Sequence, residues 1–138
     1  MAPLPNDVGV HALTGRDALL ESIHARESAA LAGLGAVAGN QSLCDLSRGA
    51  TPPTAVKYHE GAAAALAEAR RAVCSVAEAL GSADRDRSLL LGIRASWLAQ
   101  SHSPGRTGPS WGPYLAGGLD ALDQLVKTDR ERQADGTN

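Results

Sequence analysis

The chain has 138 residues, 43% of them hydrophobic, a formal net charge of −2, fifteen glycines and no phenylalanine. That length suits one domain, and the near-neutral balance excludes a general electrostatic attraction to nucleic acid or anionic membrane. Large apolar side chains are few. Close packing through Ala, or burial against another chain, therefore has to complete the core.

Residues 1–13 carry Pro3, Pro5 and Gly9 without periodicity and are expected to form a flexible arm. They have neither the basic start nor the apolar run of a signal peptide. Thr14 opens a helix, with Asp17 three residues on in the manner of a capping box. Leu20, Ile23, Ala30, Leu34 and Val37 fall on one face, beside a strip of small residues at Ala25, Ala29, Gly33 and Ala36. The letters from Gly33 to Ala38 match the dinucleotide fingerprint GxGxx[GA]. They follow a helical stretch and no strand, so that reading is discarded. Gly39 or Asn40 is the expected stop, and Leu43, Cys44 and Leu46 suit a short helical turn.

Residues 51–80 are the most regular stretch. Ala55, His59, Ala62, Leu66, Ala69, Val73, Val76 and Leu80 recur at alternating steps of four and three over about seven turns. Thr51 caps this helix, Pro52 and Pro53 suit its first turn, and Gly81 stops it. Gly61 is its one weak point by helix propensity. A third helix begins at Ser82 or Asp84, buries Leu89, Leu90, Ile93 and Trp97, and closes near Gln100. The turn-rich residues 102–109 lead to Ser110, which caps a fourth helix bearing Leu115, Leu119, Leu122 and Val126. Residues 129–138 are charged and then small and polar, and are expected to fray.

The fold class is therefore all-α: a compact bundle of about four helices over residues 14–128, with Ala-rich close packing. A narrow seam of this kind suits a homodimer, with Ala62, Leu66, Ala69, Val73 and Val76 as interface candidates.

Three constellations merit chemical reading. Glu21, His24 and Glu27 contain one Glu-x-x-His, half of the pattern found in di-metal bundles. With His59 they form a candidate metal set, although the second motif that such sites need is missing. His59, the one polar seam residue, is expected half-buried and hydrogen-bonded to a neighbour such as Glu27. Around the loop, Trp97, His102, Arg106, Trp111 and Tyr114 gather three of the four aromatics. An aromatic floor with Arg106 as an anion anchor makes them ligand-binding candidates. Nucleic-acid binding would require Arg85, Arg87, Arg94 and Arg106 to share a face.

There is no nucleophile elbow, P-loop or HExxH. The sequence thus points to a non-enzymatic helical protein acting through self-association and partner binding, of assembly or adaptor type. Its partners would be itself and an unidentified protein, with no cofactor and no membrane. The alternative is a small-molecule- or metal-binding helical-bundle enzyme. Cys44 and Cys74, without metal-type spacing, suit reduced thiols in the cytoplasm. The richness in Ala, Gly and Arg fits a high-GC bacterial genome.

Overall fold

Helical periodicity with no competing strand pattern resolves into four helices in the computed structural model, which describes residues 15–38, 54–76, 82–106 and 108–135. They are α1 (Gly15–Ala38), α2 (Thr54–Cys74), α3 (Ser82–Ser101) and α4 (Trp111–Asp135). No strand occurs among the described residues. The expectations placed on residues 1–14, 39–53 and 77–81 lie outside the described residues.

The helices alternate in direction. Arg16, at the start of α1, meets Asp86 at the start of α3 and the carbonyl of Val76 just past α2, while Arg132 near the end of α4 bonds the carbonyl of Gly15. These four termini share one end. α2 and α4 therefore run parallel to each other and antiparallel to α1 and α3.

Parallel partners in an up-down bundle normally sit diagonally, apart from one another. Here α2 and α4 make the most extensive contact of any pair, while α1 rests mainly on α2 and α3 mainly on α4. Glycine permits this. A Cβ on Gly61 would lie 1.8 Å from the Tyr114 carbonyl oxygen, and one on Gly117 would lie 1.9 Å from that of Tyr58. The two backbones touch where each helix lacks a side chain. Gly61, a weak point by local propensity, is the contact on which the bundle closes.

Leu19, Ile23, Leu66, Val73, Leu90, Leu122 and Leu125 form the core around this crossing, with Ala65 and Ala69 letting the helices approach. Ala62, Leu66, Ala69 and Val73 are buried within this one chain and Val76 is half-buried. Within this chain the seam expected to serve an interface is packed against α1 and α4. α2 also ends earlier than its pattern. Ser75 and Val76 turn off the helix, and the Val76 carbonyl accepts from Arg16. At the other extreme, α4 runs on to Asp135 through the stretch expected to fray. Asp129, near its end, is buried and fixes that last stretch to the bundle.

Polar groups close this end. Arg16 and Asp86 are both buried and pair at 2.7 and 3.2 Å. Asp129 accepts from Gln133 at 3.2 Å, but Arg87 and Arg132 stand 3.8 Å away. Burial pushes the Asp129 carboxyl above its ordinary 3.8. Arg132 and Arg87 pull it back, and nearby Asp86 adds to the rise.

Two predictions follow from this architecture. Gly61→Ala and Gly117→Ala should each cost at least ~2–3 kcal/mol in chemical denaturation, because backbone and not a flexible tip is in the way. Gly35→Ala and Gly92→Ala, where an added Cβ meets nothing within 4 Å, should instead stabilise by about 0.5–1 kcal/mol. Equal effects at all four sites would contradict the crossing. For Asp129, a folded pKa above the unfolded one means that its contribution to stability is full below the ordinary carboxyl range and lost as pH rises through the raised value. The Tm of the wild type minus that of Asp129→Asn should therefore fall across that interval. A difference that grows with pH would refute the assignment.

Candidate functional site

The opposite end holds the start of α2, the end of α3 and the start of α4. Trp97, on the last turns of α3, is only 5% exposed. Its indole reaches across α4 because Gly118 has no side chain; a Cβ there would lie 2.2 Å from the ring. Its Nε1 donates to Glu68 Oε2 on α2 at 2.7 Å. A buried indole N–H needs such an acceptor.

From Trp97 a chain of rings leads outward. Tyr114 stacks on Trp97 with centroids 5.5 Å apart and planes at 24°, and meets Trp111 edge to face at 5.7 Å. The Arg106 guanidinium lies 4.2 Å from the Trp111 ring centre, a cation–π contact. Beside these rings an open cleft of about 280 Å³ is lined by Lys57, Glu60, Ser110, Trp111 and Tyr114.

The structure thus brings together Trp97, Tyr114, Trp111 and Arg106, and leaves His102 exposed on the turn after α3. Trp97 is in the core, as its place on the buried stripe of the third helix leads one to expect. Arg106 is engaged on Trp111, and the cation that lines the cleft is Lys57. Lys57 and Glu60 are not among the site residues read from the sequence. The only signal available was their i, i+3 spacing at the start of α2. They pair at 3.0 Å, so the cleft presents one cation and one anion that largely neutralise each other.

The metal candidates are dispersed. Glu21 and His24 are exposed on α1. Glu27 pairs with Arg70 at 2.8 Å and not with His59. The His59 ring lies over Gly33, where an added Cβ would be 2.7 Å from Cε1. It is half-buried, as its seam position requires, but glycine and not a carboxylate is what receives it. Among the described residues no three His, Cys, Asp or Glu side chains converge.

The four arginines do not share a face. Arg94 bonds Asp123, Arg87 approaches Asp129, Arg106 stacks on Trp111, and Arg85 lies about 200° around α3 from Arg87. A further polar pair spans α2 and α4: the Tyr58 hydroxyl donates to Asp120 at 2.6 Å. That bond, burial and the carboxylate charge raise the phenol above its usual range. No described helix is long and apolar enough to cross a membrane.

Comparison of the chain with protein-family models, with curated proteins and with solved structures gave no match.

The Trp97–Glu68 bond gives a direct test of this end. Glu68→Ala leaves a buried indole N–H unpaired and should cost about 1–3 kcal/mol. Adding Trp97→Phe to that variant removes the orphan donor, so the two losses should be markedly less than additive in a double-mutant cycle. Strict additivity would show that the bond contributes nothing.

Proposed function

We propose that the protein acts by association, as a non-enzymatic helical protein of assembly or adaptor type that meets a second copy of itself or another protein. The supporting observation is the exposure of large apolar side chains on the two outer helices: Leu31 at 57% on α1, and Leu91 at 44% and Leu98 at 40% on α3. A small domain short of large apolar residues gains no stability by leaving them in water. Leu91 and Leu98 fall on one face of α3, and apolar side chains grouped in that way are characteristic of contact surfaces.

The contact surface is then on the outer faces of α1 and α3, not on the α2 seam. A cytoplasmic location belongs to the same proposal. The free, exposed thiol of Cys74 supports it, since such thiols are at home where disulfides are kept reduced. A small-ligand reading draws on the cleft beside Trp111, with Trp111 and Tyr114 as walls. Association is preferred because the cleft's two charges already satisfy each other.

Light-scattering mass, measured from micromolar to millimolar chain, tests the proposal. A mass above one chain that grows with concentration, and is reduced when Leu31 and Leu91 are both changed to Glu, is the expected result. A strict monomer throughout, with no partner retained from a lysate of the source cells, would overturn it.

A further inference from the structure

Because α2 and α4 meet directly, α1 and α3 are pushed to opposite flanks of their contact. On α2, His59 and Leu66 face α1, while Glu68 faces α3 about 160° away around the helix. Each flanking helix keeps an uncovered outer face, and the two faces differ in chemistry.

The α3 side is apolar and basic. Leu91, Ala95 and Leu98 follow one another at steps of four and three and are all exposed. At one end of this stripe an open cleft of about 300 Å³ between α3 and α4 is lined by Leu91, Arg94, Asp123, Val126, Lys127 and Arg130. Arg94 is paired with Asp123. Lys127 and Arg130 are exposed and make no ion pair among the described residues, so two uncompensated positive charges stand beside Leu91.

The α1 side is apolar and acidic. Its outward stripe, opposite the buried Leu19, Ile23 and Ala30, begins with the exposed Asp17 and Glu21 and continues past His24 and Ser28 to Leu31, Ala32 and Gly35. Beyond Glu27, α1 carries no charged residue. Leu31 lies ten residues past Glu21, about 15 Å along the axis, and Leu98 lies seven residues past Leu91, about 10 Å. With Glu21 set against Lys127 and Arg130, which flank Leu91, the uncharged part of α1 reaches Leu98. The small residues of α1 accept the projecting leucines of α3.

We infer that the outer face of α1 in one copy docks into the α3–α4 face of the next, so that the chain assembles head to tail. The inference rests on the association reading above and specifies its occupant, a second copy of this chain. Opposed, unlike faces make a heterologous contact, which propagates into open chains unless its rotation closes a ring. Charge complementarity fixes the polarity: the acidic start of α1 meets the basic end of α3–α4, and the apolar residues supply the contact beyond.

Complementation between two surface variants tests it. Leu31→Glu disables the α1 face, and Leu98→Glu disables the α3 face. Both positions are exposed, so far-UV circular dichroism and Tm should match the wild type. Each variant alone should be monomeric by light scattering, its self-affinity weakened about 30-fold or more. Mixed in equal amounts, the two should form a heterodimer that stops at two chains, because one intact α1 face and one intact α3 face remain. Raised salt should weaken that dimer. Exchanging the charges, with Glu21→Lys on one chain and Lys127→Glu plus Arg130→Glu on the other, should restore pairing between those two chains only. If Leu98→Glu alone still associates, or the mixture stays monomeric while the wild type associates, the head-to-tail contact is wrong although association stands. A wild type that is monomeric at every concentration removes the head-to-tail contact, and removes the association reading as well if no partner is retained from a lysate.

Discussion

The shape of this bundle depends on one constraint: two parallel helices whose backbones touch. Ordinary side chains hold helix axes 8–10 Å apart and make ridges that interlock. At Gly61 and Gly117 there are no ridges, and the carbonyls of Tyr114 and Tyr58 occupy the space a methyl group would need. The short diagonal draws α2 and α4 together and shortens the reach needed to fill the core. That is how a chain without phenylalanine, whose seam alternates Ala with Leu and Val, closes over its apolar residues. Glycine costs helix propensity at each site, and the packing it permits offsets that cost.

The two ends are closed by different physics. One is aromatic: Trp97 is set in the notch left by Gly118, Tyr114 lies on it, and Trp111 and Arg106 continue outward. The other is ionic, with Arg16 holding Asp86 and the carbonyl that ends α2. A buried ion pair adds little net stability, since desolvation opposes its attraction. It does penalise any arrangement that separates the partners. Because Arg16 of α1 also holds the Val76 carbonyl just past α2, its pairing with Asp86 of α3 ties three helices into one register.

Flattening the bundle along one diagonal also decides which residues are left for function. The flanking helices each cover one neighbour well and the other poorly, so their outer faces keep leucines in water. The side chains that look most like an interaction seam on paper, from Ala62 to Val73, are consumed internally. The surface that remains is divided: acidic and small on α1, basic and leucine-bearing on α3 and α4.

Helix content and boundaries were legible because they follow from local rules. Period, N-cap residues and glycine stops placed α1 and α3 within a residue or so, and Ser110 marked the start of α4. Contacts between helices were not. Glu27 is expected beside His59, yet its partner is Arg70, on nearly the same strip of α2 but about 16 Å further along it, and only the axial register of α1 on α2 selects it. Asp129 sits in a stretch that reads as a fraying tail, and its burial depends on α3 lying alongside. Lys57 and Glu60 became the rim of a cleft only once α4 delivered Trp111 next to them. By itself the sequence determined an all-α chain, the extent of most of its helices and the apolar stripe of α2, since these depend on residues within a few turns of one another. The tertiary structure alone decided that Gly61 is a contact instead of a flaw, and that the seam faces inward while α1 and α3 face out. Those outcomes depend on where two distant glycines meet, and no local pattern encodes that meeting.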